Sequence, residues 1–469
     1  KKQENMSSKS KKCLSDDQQA VFDQLMRVAT ARSGDAVATL SGYAGVGKTT
    51  VVAKLVAALV ADDYRVLVTA PTNKAVAVIA GKIAEELDGG REPESRTIHS
   101  ALGLRMTEHD DGTQKLHKAG EVVLGDYDVA FVDEASMLSD ELFAAVMSAR
   151  RRCKVVFVGD PAQLPPVQAV RAAGGPENAV SMVFGGAVPV HARLTQIMRQ
   201  AEGNPIIAMA TRLRECIEAE RMPTIGEVAG IVGALGNQQL SVVAGAHTGM
   251  FVDWAAWAVR NGEDTRILAF TNRAVDSYNS GVHWELHPDV AGFAPGEPAV
   301  THSPYEMPPG GMGNLLRNSE SLVIKTCEAK THPEWADVPA WWITFTRDGY
   351  DDDGKVWGAW VPQDVAGHAA TVRGLFNQAG VMKFSAEPDA QKKASAMVRK
   401  AWALKNAFAH ITYGYAMTAH KSQGSTFHTV LIDWQDVCIA ARRDPVQAAR
   451  LLYVGVTRAS NNVCILVRG

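Results

Sequence analysis

The chain has 469 residues, of which 46% are hydrophobic and 21% charged, and its 48 basic and 51 acidic residues give a net charge of −3. This composition excludes an intrinsically disordered chain, and the length is typical of about three domains with their own cores. Because the charges nearly balance, the composition also excludes a globally basic polyanion binder. Any nucleic-acid site therefore has to be a local groove.

The six cysteines are scattered, without a C-x-x-C pair or a Cys/His cluster of zinc spacing. Such usage is typical of a reducing compartment, and we expect a cytoplasmic protein. We expect neither a signal peptide nor a membrane span, because the longest apolar run, VVAKLVAALVA at 51–61, carries Lys54 and is typical of a buried helix. Residues 1–13 are predicted to form a disordered arm.

Short runs rich in Val, Ile and Leu alternate with helical stretches along the chain. Runs without polar alternation are typical of strands buried on both faces, as in parallel sheets covered by helices. The pattern predicts the α/β class, with one group of strands before residue 161 and another after residue 265. The predicted strands are AVATLSG (36–42), RVLVTAP (65–71), VAFVDE (129–134), KVVFVGD (154–160), RILAFT (266–271), TVLIDW (429–434) and NVCILV (462–467).

Two insertions interrupt this pattern. Asp111-Gly112 lies between two short segments at 104–120 and predicts a hairpin. Alternating runs between 321 and 362 predict antiparallel strands, so 316–407 is predicted to be a β-rich insertion, although 389–409 has helical spacing. The predicted organisation is two α/β domains, a first at 14–103 and 121–195 and a second at 196–315 and 408–469.

GYAGVGKT at 42–49 matches G-x-x-x-x-G-K-[ST] between a predicted strand and a predicted helix. This context is specific for a phosphate-binding loop and disfavours a plain glycine-rich turn. Backbone N–H groups would approach the phosphates, Lys48 would reach the β- and γ-phosphates, and Thr49 would hold Mg²⁺. The predicted nucleotide-binding residues are Gly42, Ala44, Gly45, Val46, Gly47, Lys48, Thr49 and Thr50.

Polar residues follow the third and fourth strands. Asp133 is predicted to hold Mg²⁺ with Thr49, and Glu134 to activate or orient the attacking water. An acidic helix N-terminus is the plainer alternative, which the phosphate-binding loop disfavours. Gln163 lies where α/β sheets place ligands and would touch the γ-phosphate, with a Pro-terminated loop as its alternative. The sequence therefore predicts hydrolysis of a nucleoside triphosphate.

Ten motifs occur in a fixed order between residues 14 and 459: LSDDQQ, GYAGVGKTT, TAPTNKAV, TIHSALGL, VDEASM, GDPAQLPPV, LTQIMRQ, LAFTNRAVDSYN, TAHKSQGST and LLYVGVTRA. The set resembles superfamily 1 helicases of subgroup B, closest to the phage Dda type and to RecD. The resemblance implies two RecA-like motor domains with ATP and Mg²⁺ in the cleft between them. It also implies translocation on single-stranded DNA, 5′ to 3′, and unwinding of forked duplex DNA by a monomer without a membrane. Replication or recombination proteins are the implied partners, in a bacterial or phage-infected cell.

The resemblance also implies roles for residues that local composition does not single out. Arg199 and Arg458 resemble the family's arginine fingers, and Gly424 would lie near the triphosphate. Gln18 would read the adenine edge, with Gln19 as the neighbouring alternative. The implied nucleic-acid contacts, suited to phosphates and sugars, are Pro71, Thr72, Asn73, Lys74, Thr97, His99, Thr271, Asn272, Thr418, His420 and Lys421. For Thr418, a helix cap is the alternative.

Two features depart from the family pattern or leave alternatives open. The hairpin lacks an aromatic residue, so its strand-separating wedge would have to be Met106, His109, Leu116 or His117. Tryptophans of the β-rich insertion, at 341, 342, 357 and 360, would contact the hairpin or DNA, or fill the insertion's own core. The competing functions are a viral-type RNA helicase, a RecD-like subunit of a larger complex, and a nucleotide-switched module that binds single strands.

Overall fold

The computed structural model describes residues 13–33, 36–87, 90–108, 114–166, 181–196, 204–235, 239–308, 315–347, 354–385 and 389–468, and of 105–108, 114–116 and 235 only the backbone. Residues 1–12 of the predicted arm and Arg199 lie outside the described residues. The chain forms two compact units. The first comprises the chain up to Arg105, His117–Asn237 and Ala440–Thr457, and the second comprises Met106–Leu116, Gln238–Ile439 and the chain from Arg458 onward.

The first unit is built on a six-stranded parallel sheet with the strand order β3-β2-β6-β7-β1-β8. Alternate residues of its inner strands enter two separate cores, which shows that both faces are covered. The strands are β1 (Val37–Gly42), β2 (Val66–Ala70), β3 (Glu94–Thr97), β6 (Val129–Val132), β7 (Lys154–Gly159) and β8 (Val190–Leu194). The helices are Asp16–Ala29, Lys48–Ala61, Asn73–Leu87, Ile98–Ala101, Asp140–Ala149, Pro205–Glu218, Ile225–Leu235 and Pro445–Thr457.

The second unit contains a five-stranded parallel sheet with the order β18-β10-β19-β20-β9. Helices Thr248–Arg260 and Asn272–Leu286 contribute to the core on one side of it. Its strands are β9 (Leu240–Ala246), β10 (Thr265–Ala269), β18 (Ala416–Thr418), β19 (Phe427–Asp433) and β20 (Ala459–Arg468), and helix Trp434–Ala441 follows β19.

Three further sheets accompany the two parallel sheets in the described part of the chain. Strands β4 (Leu104–Glu108) and β5 (Gln114–Lys118) form the predicted hairpin. An antiparallel sheet of the order β16-β15-β14-β11-β17 forms the predicted β-rich insertion. Its strands are β11 (Pro298–Thr301), β14 (Ser321–Thr331), β15 (Pro339–Arg347), β16 (Trp357–Pro362) and β17 (Ile411–Tyr413), beside a short pair, β12 (Tyr305–Glu306) and β13 (Leu315–Leu316), and the helices Val365–Met382 and Ala390–Ala407.

The structure divides the chain differently from the predicted boundaries. Strands β11 and β17 pair with the antiparallel sheet although they lie outside 316–407. Much of that insertion is helical, since it contains the helices Val365–Met382 and Ala390–Ala407. These two helices pack against each other. Residues 204–235 and helix Pro445–Thr457 belong to the first unit, not the second. No helix in the described part of the chain combines the length and the hydropathy that a membrane span needs.

A buried ion pair fixes helix Asn272–Leu286 to the antiparallel sheet. His283 Nδ1 lies 2.7 Å from Glu297 Oε1, and Nε2 lies 3.0 Å from the Val290 carbonyl oxygen. The ring stacks on Tyr413 with centroids 4.2 Å apart. Burial acts to lower the pKa of His283, but its two hydrogen bonds and the charge of Glu297 outweigh this effect and raise the pKa above 6.5. Both ring nitrogens face acceptors, which fits the imidazolium form.

We predict that this pair stabilises the fold in a pH-dependent way. Because the folded-state pKa is raised, the contribution of His283 is fully present below its unfolded pKa and is lost as the pH rises through the raised value. Glu297→Gln should therefore cost about 1–3 kcal/mol of unfolding free energy at about pH 5.5 and less at about pH 9. Urea unfolding of both proteins at the two pH values measures this difference. A cost that is independent of pH would contradict a charged His283.

Candidate nucleotide and nucleic-acid sites

The loop between β1 and helix Lys48–Ala61 has the backbone of a phosphate-binding loop. Gly45 and Gly47 both have φ of +86°, in the left-handed region that favours glycine. A side chain at Gly42 would bring its Cβ to 2.8 Å from Val46 Cγ2. The first N–H groups of the helix have no intrahelical partners, as at any helix N-terminus, and they favour an anion there.

Lys48 is oriented by this loop. Its Nζ donates to the carbonyl oxygens of Gly42, at 2.7 Å, and Tyr43, at 3.1 Å. The ammonium group is therefore held over the loop that the sequence assigns to the phosphates. When a phosphate binds, Lys48 would exchange these neutral acceptors for charged phosphate oxygens. Such charge-assisted hydrogen bonds are stronger.

Of the two glutamines proposed to read a base, the structure brings Gln18 to the loop. Gln18 is buried, its Nε2 donates to the Val46 carbonyl oxygen at 3.1 Å, and its Oε1 accepts from Ser15 N–H at 3.2 Å. The second bond completes a capping box at the start of helix Asp16–Ala29. Gln19 is exposed and bonds to Asp23 instead. The role of Gln18 toward adenine stays a prediction, since much of its amide is engaged within the protein.

Two carboxylates follow β6 on the same edge of the sheet. The N–H of Asp133 donates to the Thr69 carbonyl oxygen at 2.8 Å, and burial together with the charge of Glu134 raises the pKa of Asp133 to about 7. Glu134 has a φ of +49°, which is unusual for a residue with a side chain. Backbone strain of this kind is concentrated at functional sites.

The donor set fits a hard cation. Thr49 offers a hydroxyl and Asp133 a carboxylate, and Mg²⁺ prefers oxygen ligands. A nearby cation would also favour the charged form of the buried Asp133. The described residues contain no group of three or more His, Cys, Asp and Glu arranged to hold a metal. This is compatible with Mg²⁺, which usually takes one or two protein ligands and completes its shell with water and phosphate oxygens.

The loop after β7 is held by a helix from near the end of the chain. Gln163 is buried, and its carbonyl oxygen accepts from Arg450 NH1 at 2.6 Å. Its side-chain Oε1 is buried without a protein partner, as is Ser136 Oγ, and both line a small pocket beside Arg450. Asp160, three residues earlier, accepts a hydrogen bond from Tyr453 at 2.5 Å. Sequence reasoning missed Asp160, Arg450 and Tyr453, and the one available signal was an arginine within an otherwise apolar helix.

The second unit brings together two of the other predicted residues. Gly424 has a φ of +74°, so the loop after β18 requires glycine there. Arg458 follows helix Pro445–Thr457, is buried, and donates through NH1 to the Ser425 carbonyl oxygen at 3.3 Å. Its own carbonyl accepts from the N–H of Phe427 at 2.9 Å. The loop of Gly424 and the arginine are therefore neighbours.

Four of the predicted nucleic-acid contacts are threonines that accept a hydrogen bond from the N–H three residues ahead. The acceptors are Thr72, Thr97, Thr271 and Thr418, and the donors are Ala75, Ser100, Ala274 and Lys421. For Thr418 this is the helix-cap alternative. Strands β2 and β3 are neighbours, as are β10 and β18, so the threonines lie in two pairs at the carboxyl ends of the two parallel sheets.

The loop after β10 depends on a carboxylate that sequence reasoning missed. Asp436 Oδ2 accepts from the N–H groups of Phe270, at 2.5 Å, and Thr271, at 2.9 Å. Its Oδ1 accepts from the Thr271 hydroxyl at 2.8 Å. That hydroxyl is thus fully used within the protein. Asn272, the next residue, is exposed.

Lys421 is held by His302, which in turn stacks on a second histidine. Its Nζ lies 2.7 Å from His302 Nδ1, His302 Nε2 lies 2.7 Å from Thr412 Oγ1, and the ring of His302 stacks on His410. Burial and the charges of Lys421 and His410 lower the pKa of His302 to about 3. A neutral His302 accepts from Lys421 and donates to Thr412. Burial also lowers the pKa of His420, beside Phe270, and that of His99.

The structure supports one of the two alternatives for the tryptophans of the β-rich insertion, which is that they fill its core. Trp357 is buried in the core of the antiparallel sheet and Trp341 packs against that core. Trp342 and Trp360 pack on each other with centroids 4.9 Å apart. These tryptophans therefore fill the insertion. Of the wedge candidates, His117 is exposed, and the side chains of Met106, His109 and Leu116 lie outside the described residues.

Comparison with known proteins gives matches over most of the chain. An AAA domain matches residues 14–226, and a UvrD-like helicase C-terminal domain matches residues 413–466. The ATP-dependent DNA helicase dda of Enterobacteria phage T4 is 25% identical over 96% of this chain and 98% of its own. The ATP-dependent RecD2 DNA helicase of Deinococcus radiodurans is 35% identical over 43% of this chain and 24% of its own. The chain belongs to the Dda/RecD-like superfamily 1 helicases.

Solved structures give the same fold for this helicase. Bacteroides Pif1 bound to ssDNA matches with a TM-score of 0.51 and 16% identity over 97% of this chain and 92% of that one. Its complex with ADP-AlF3 and ssDNA matches with a TM-score of 0.52 at the same identity and coverage. The predicted family, helicase enzyme class and RecA-like α/β fold with two insertions are confirmed.

We predict that Thr271 acts mainly by fixing its loop. Thr271→Val removes the hydroxyl that caps helix Asn272–Leu286 and serves Asp436, and should cost about 1–2 kcal/mol of unfolding free energy. Thr271→Ser keeps the hydroxyl and is the matched control. Urea unfolding of both variants measures the difference. A valine variant as stable as wild type, with weakened nucleic-acid binding, would instead favour a direct contact.

Proposed function

We propose that this helicase hydrolyses ATP to move along single-stranded DNA in the 5′-to-3′ direction and to unwind forked duplex DNA. The observation that carries the proposal is the carboxyl edge of the first parallel sheet. There, the strand ends supply the phosphate-binding loop with Lys48, the carboxylates Asp133 and Glu134, and Gln163. These are the parts that phosphoryl transfer to water requires.

The proposed roles follow from the chemistry of each group. Lys48 would leave the carbonyls of Gly42 and Tyr43 for the β- and γ-phosphates. Thr49 and Asp133 would hold Mg²⁺, which neutralises phosphate charge when bound. Glu134 would orient and deprotonate the attacking water. Arg458 would neutralise charge that grows on the transferred phosphoryl group, and the sequence assigns the same role to Arg199.

The proposed DNA track runs over the carboxyl ends of both parallel sheets. Threonines at these ends fix the loops, so their side chains would act mainly by positioning, and neighbouring residues would make most of the contacts. Such groups bind phosphates and sugars and read little sequence, which suits a motor. The proposed contacts are Pro71, Thr72, Asn73, Lys74, Thr97, His99, Thr271, Asn272, Thr418, His420 and Lys421. We further propose that the protein works as a cytoplasmic monomer together with replication or recombination proteins.

The decisive experiment is unwinding of forked duplexes that carry either a 5′ or a 3′ tail, with and without ATP. Unwinding that needs ATP and a 5′ tail is expected. A preference for the 3′ tail would contradict the proposed direction. ATPase stimulation by matched DNA and RNA oligonucleotides separates a DNA motor from a viral-type RNA helicase. Slow hydrolysis that neither polymer stimulates would indicate the nucleotide-switched binding module.

We predict that Lys48→Ala lowers ATP turnover at least about 10²-fold, because a preorganised positive charge at the phosphates is removed. Lys54→Ala in the same helix is the matched control, since Lys54 pairs with Glu86 and not with the loop. Steady-state phosphate release measures turnover, and circular dichroism checks the fold. Turnover at the wild-type rate in the Lys48 variant would exclude the assigned role.

A further inference from the structure

The helix Pro445–Thr457 contacts two loops of the proposed ATPase site, and we call it the clamp helix. The Tyr453 hydroxyl accepts from the N–H of Ala44 in the phosphate-binding loop at 3.2 Å and donates to Asp160 Oδ2 at 2.5 Å. Arg450, three residues earlier on the same helix face, donates to the carbonyl oxygens of Pro161 and Gln163, both at 2.6 Å. One helix therefore holds two separate loops of the first unit.

All of the connecting groups are buried. Tyr453 and Asp160 are 0% exposed and Arg450 is 5% exposed. Asp160 Oδ1 also accepts from the N–H of Ala162 at 2.9 Å, so both carboxylate oxygens are bonded. Buried hydrogen bonds to a charged group have little freedom, because an unmade bond leaves a desolvated charge. The positions of the two loops and the clamp helix are therefore tied together.

The clamp helix leads directly to another residue that is predicted to take part in hydrolysis. The helix ends at Thr457, and Arg458 is the next residue. We propose that Tyr453 and Arg450 are positioning residues, which set the phosphate-binding loop and the Gln163 loop in register with each other for hydrolysis. This inference rests on the proposed ATP hydrolysis.

Tyr453→Phe tests the proposal, since it removes only the hydroxyl. We expect kcat for ATP to fall by about 10- to 100-fold, because small misplacements of catalytic groups cost up to about 10² in rate. The KM for ATP should change by less than about threefold, since the phosphate-binding loop is retained. Tyr127→Phe, which also removes a tyrosine–carboxylate hydrogen bond, to Glu94 on the surface of the same unit, is the matched control.

The Asp160→Asn variant and the double variant complete the test. If Tyr453 acts through Asp160, the two effects on kcat will be strongly non-additive. A Tyr453→Phe variant with wild-type kcat, or with a kcat loss matched by the Tyr127 control, would overturn the inference. A variant in which KM and thermal stability change while kcat stays at the wild-type value would overturn it as well. If the wild-type protein does not hydrolyse ATP, the proposed function fails instead.

An independent observation concerns the surface of the β-rich insertion. Helix Ala390–Ala407 carries five basic residues and no acidic one, in a chain whose net charge is −3. Lys392, Lys393, Arg399 and Lys400 are all exposed. Positions seven and eight residues apart recur on one helix face, so the four form one basic face, and Ala394, Ala401 and Leu404 form the buried one. The neighbouring helix Val365–Met382 adds the exposed Arg373, and the acidic residues that flank the two helices in the sequence are Asp364, Glu387 and Asp389.

We propose that this basic face binds the phosphate backbone of double-stranded DNA. The helix is a rod of about 27 Å whose basic pairs are about 10 Å apart along its axis. Between them the exposed residues are Ser395 and Ala396, and neither carries an aromatic ring. Single strands are usually bound with aromatic side chains that stack on bases, whereas a duplex presents phosphates to a rod of positive charge. The inference depends on DNA as the ligand of the proposed function.

The test uses Lys392→Glu/Lys400→Glu, with Lys325→Glu/Lys330→Glu on the exposed part of strand β14 as a control of equal charge change. Fluorescence anisotropy with a blunt duplex is expected to show at least about tenfold weaker binding for the first variant than for the control. Its slope of log affinity against log salt should fall by about 1–2. Affinity for a single strand should differ little between the two.

Equal duplex affinities of the two variants would overturn the second proposal, and so would an equal loss for duplex and single strand. A wild-type protein that binds no DNA at all would contradict the proposed function. These outcomes are distinguishable, because the single-strand affinity of the wild type tests the proposed function without reference to the basic face.

Discussion

The inner strands of both parallel sheets are buried, and this constraint determines where polar chemistry can be. These strands are largely apolar, so most of the polar groups lie in the loops at the strand ends. In the first unit the carboxyl edge holds the phosphate-binding loop, Asp133 and Gln163. In the second unit it holds Thr271 and the loop of Gly424. The predicted site residues lie at these edges because the inner strands of the two sheets are buried.

Side chains at these edges satisfy part of the hydrogen bonding of the loop backbone. Threonines cap the turns after β2, β3, β10 and β18, and Asp436 bonds two further N–H groups after β10. Residue types that would suit phosphate contacts are thus also those that a helix start requires. This double use explains why the same threonines fit two interpretations of the sequence. The structure shows capping, while Lys421 and Asn272 carry donors that capping does not use.

The clamp helix gives the first unit a connection that the sheet alone does not provide. Strands β1 and β7 are adjacent, but the loops that follow them are joined through Tyr453 and Arg450. Buried charge is the physical reason for the strength of this connection. Asp160 is 0% exposed, so the loss of a partner would leave a buried polar group without its hydrogen bond.

The sequence by itself determined the inner strands, the phosphate-binding loop and the family. Those strands are buried on both faces, so they are continuous apolar runs, and the loop is a local pattern. The strands that it did not predict, β3, β8, β9 and β18, are the four edge strands of the two parallel sheets. Edge strands are partly exposed or short, and they lack the apolar signal.

Only the tertiary structure decided which polar residues meet. Tyr453 and Asp160 are 293 positions apart in the chain, and neither has a local pattern that names the other. The same holds for Lys421 and His302, 119 positions apart, and for Thr271 and Asp436, 165 positions apart. Periodicity reports whether a residue is buried, because burial is a property of one face of one element. It does not report a hydrogen-bond partner, because the partner depends on how separate elements pack.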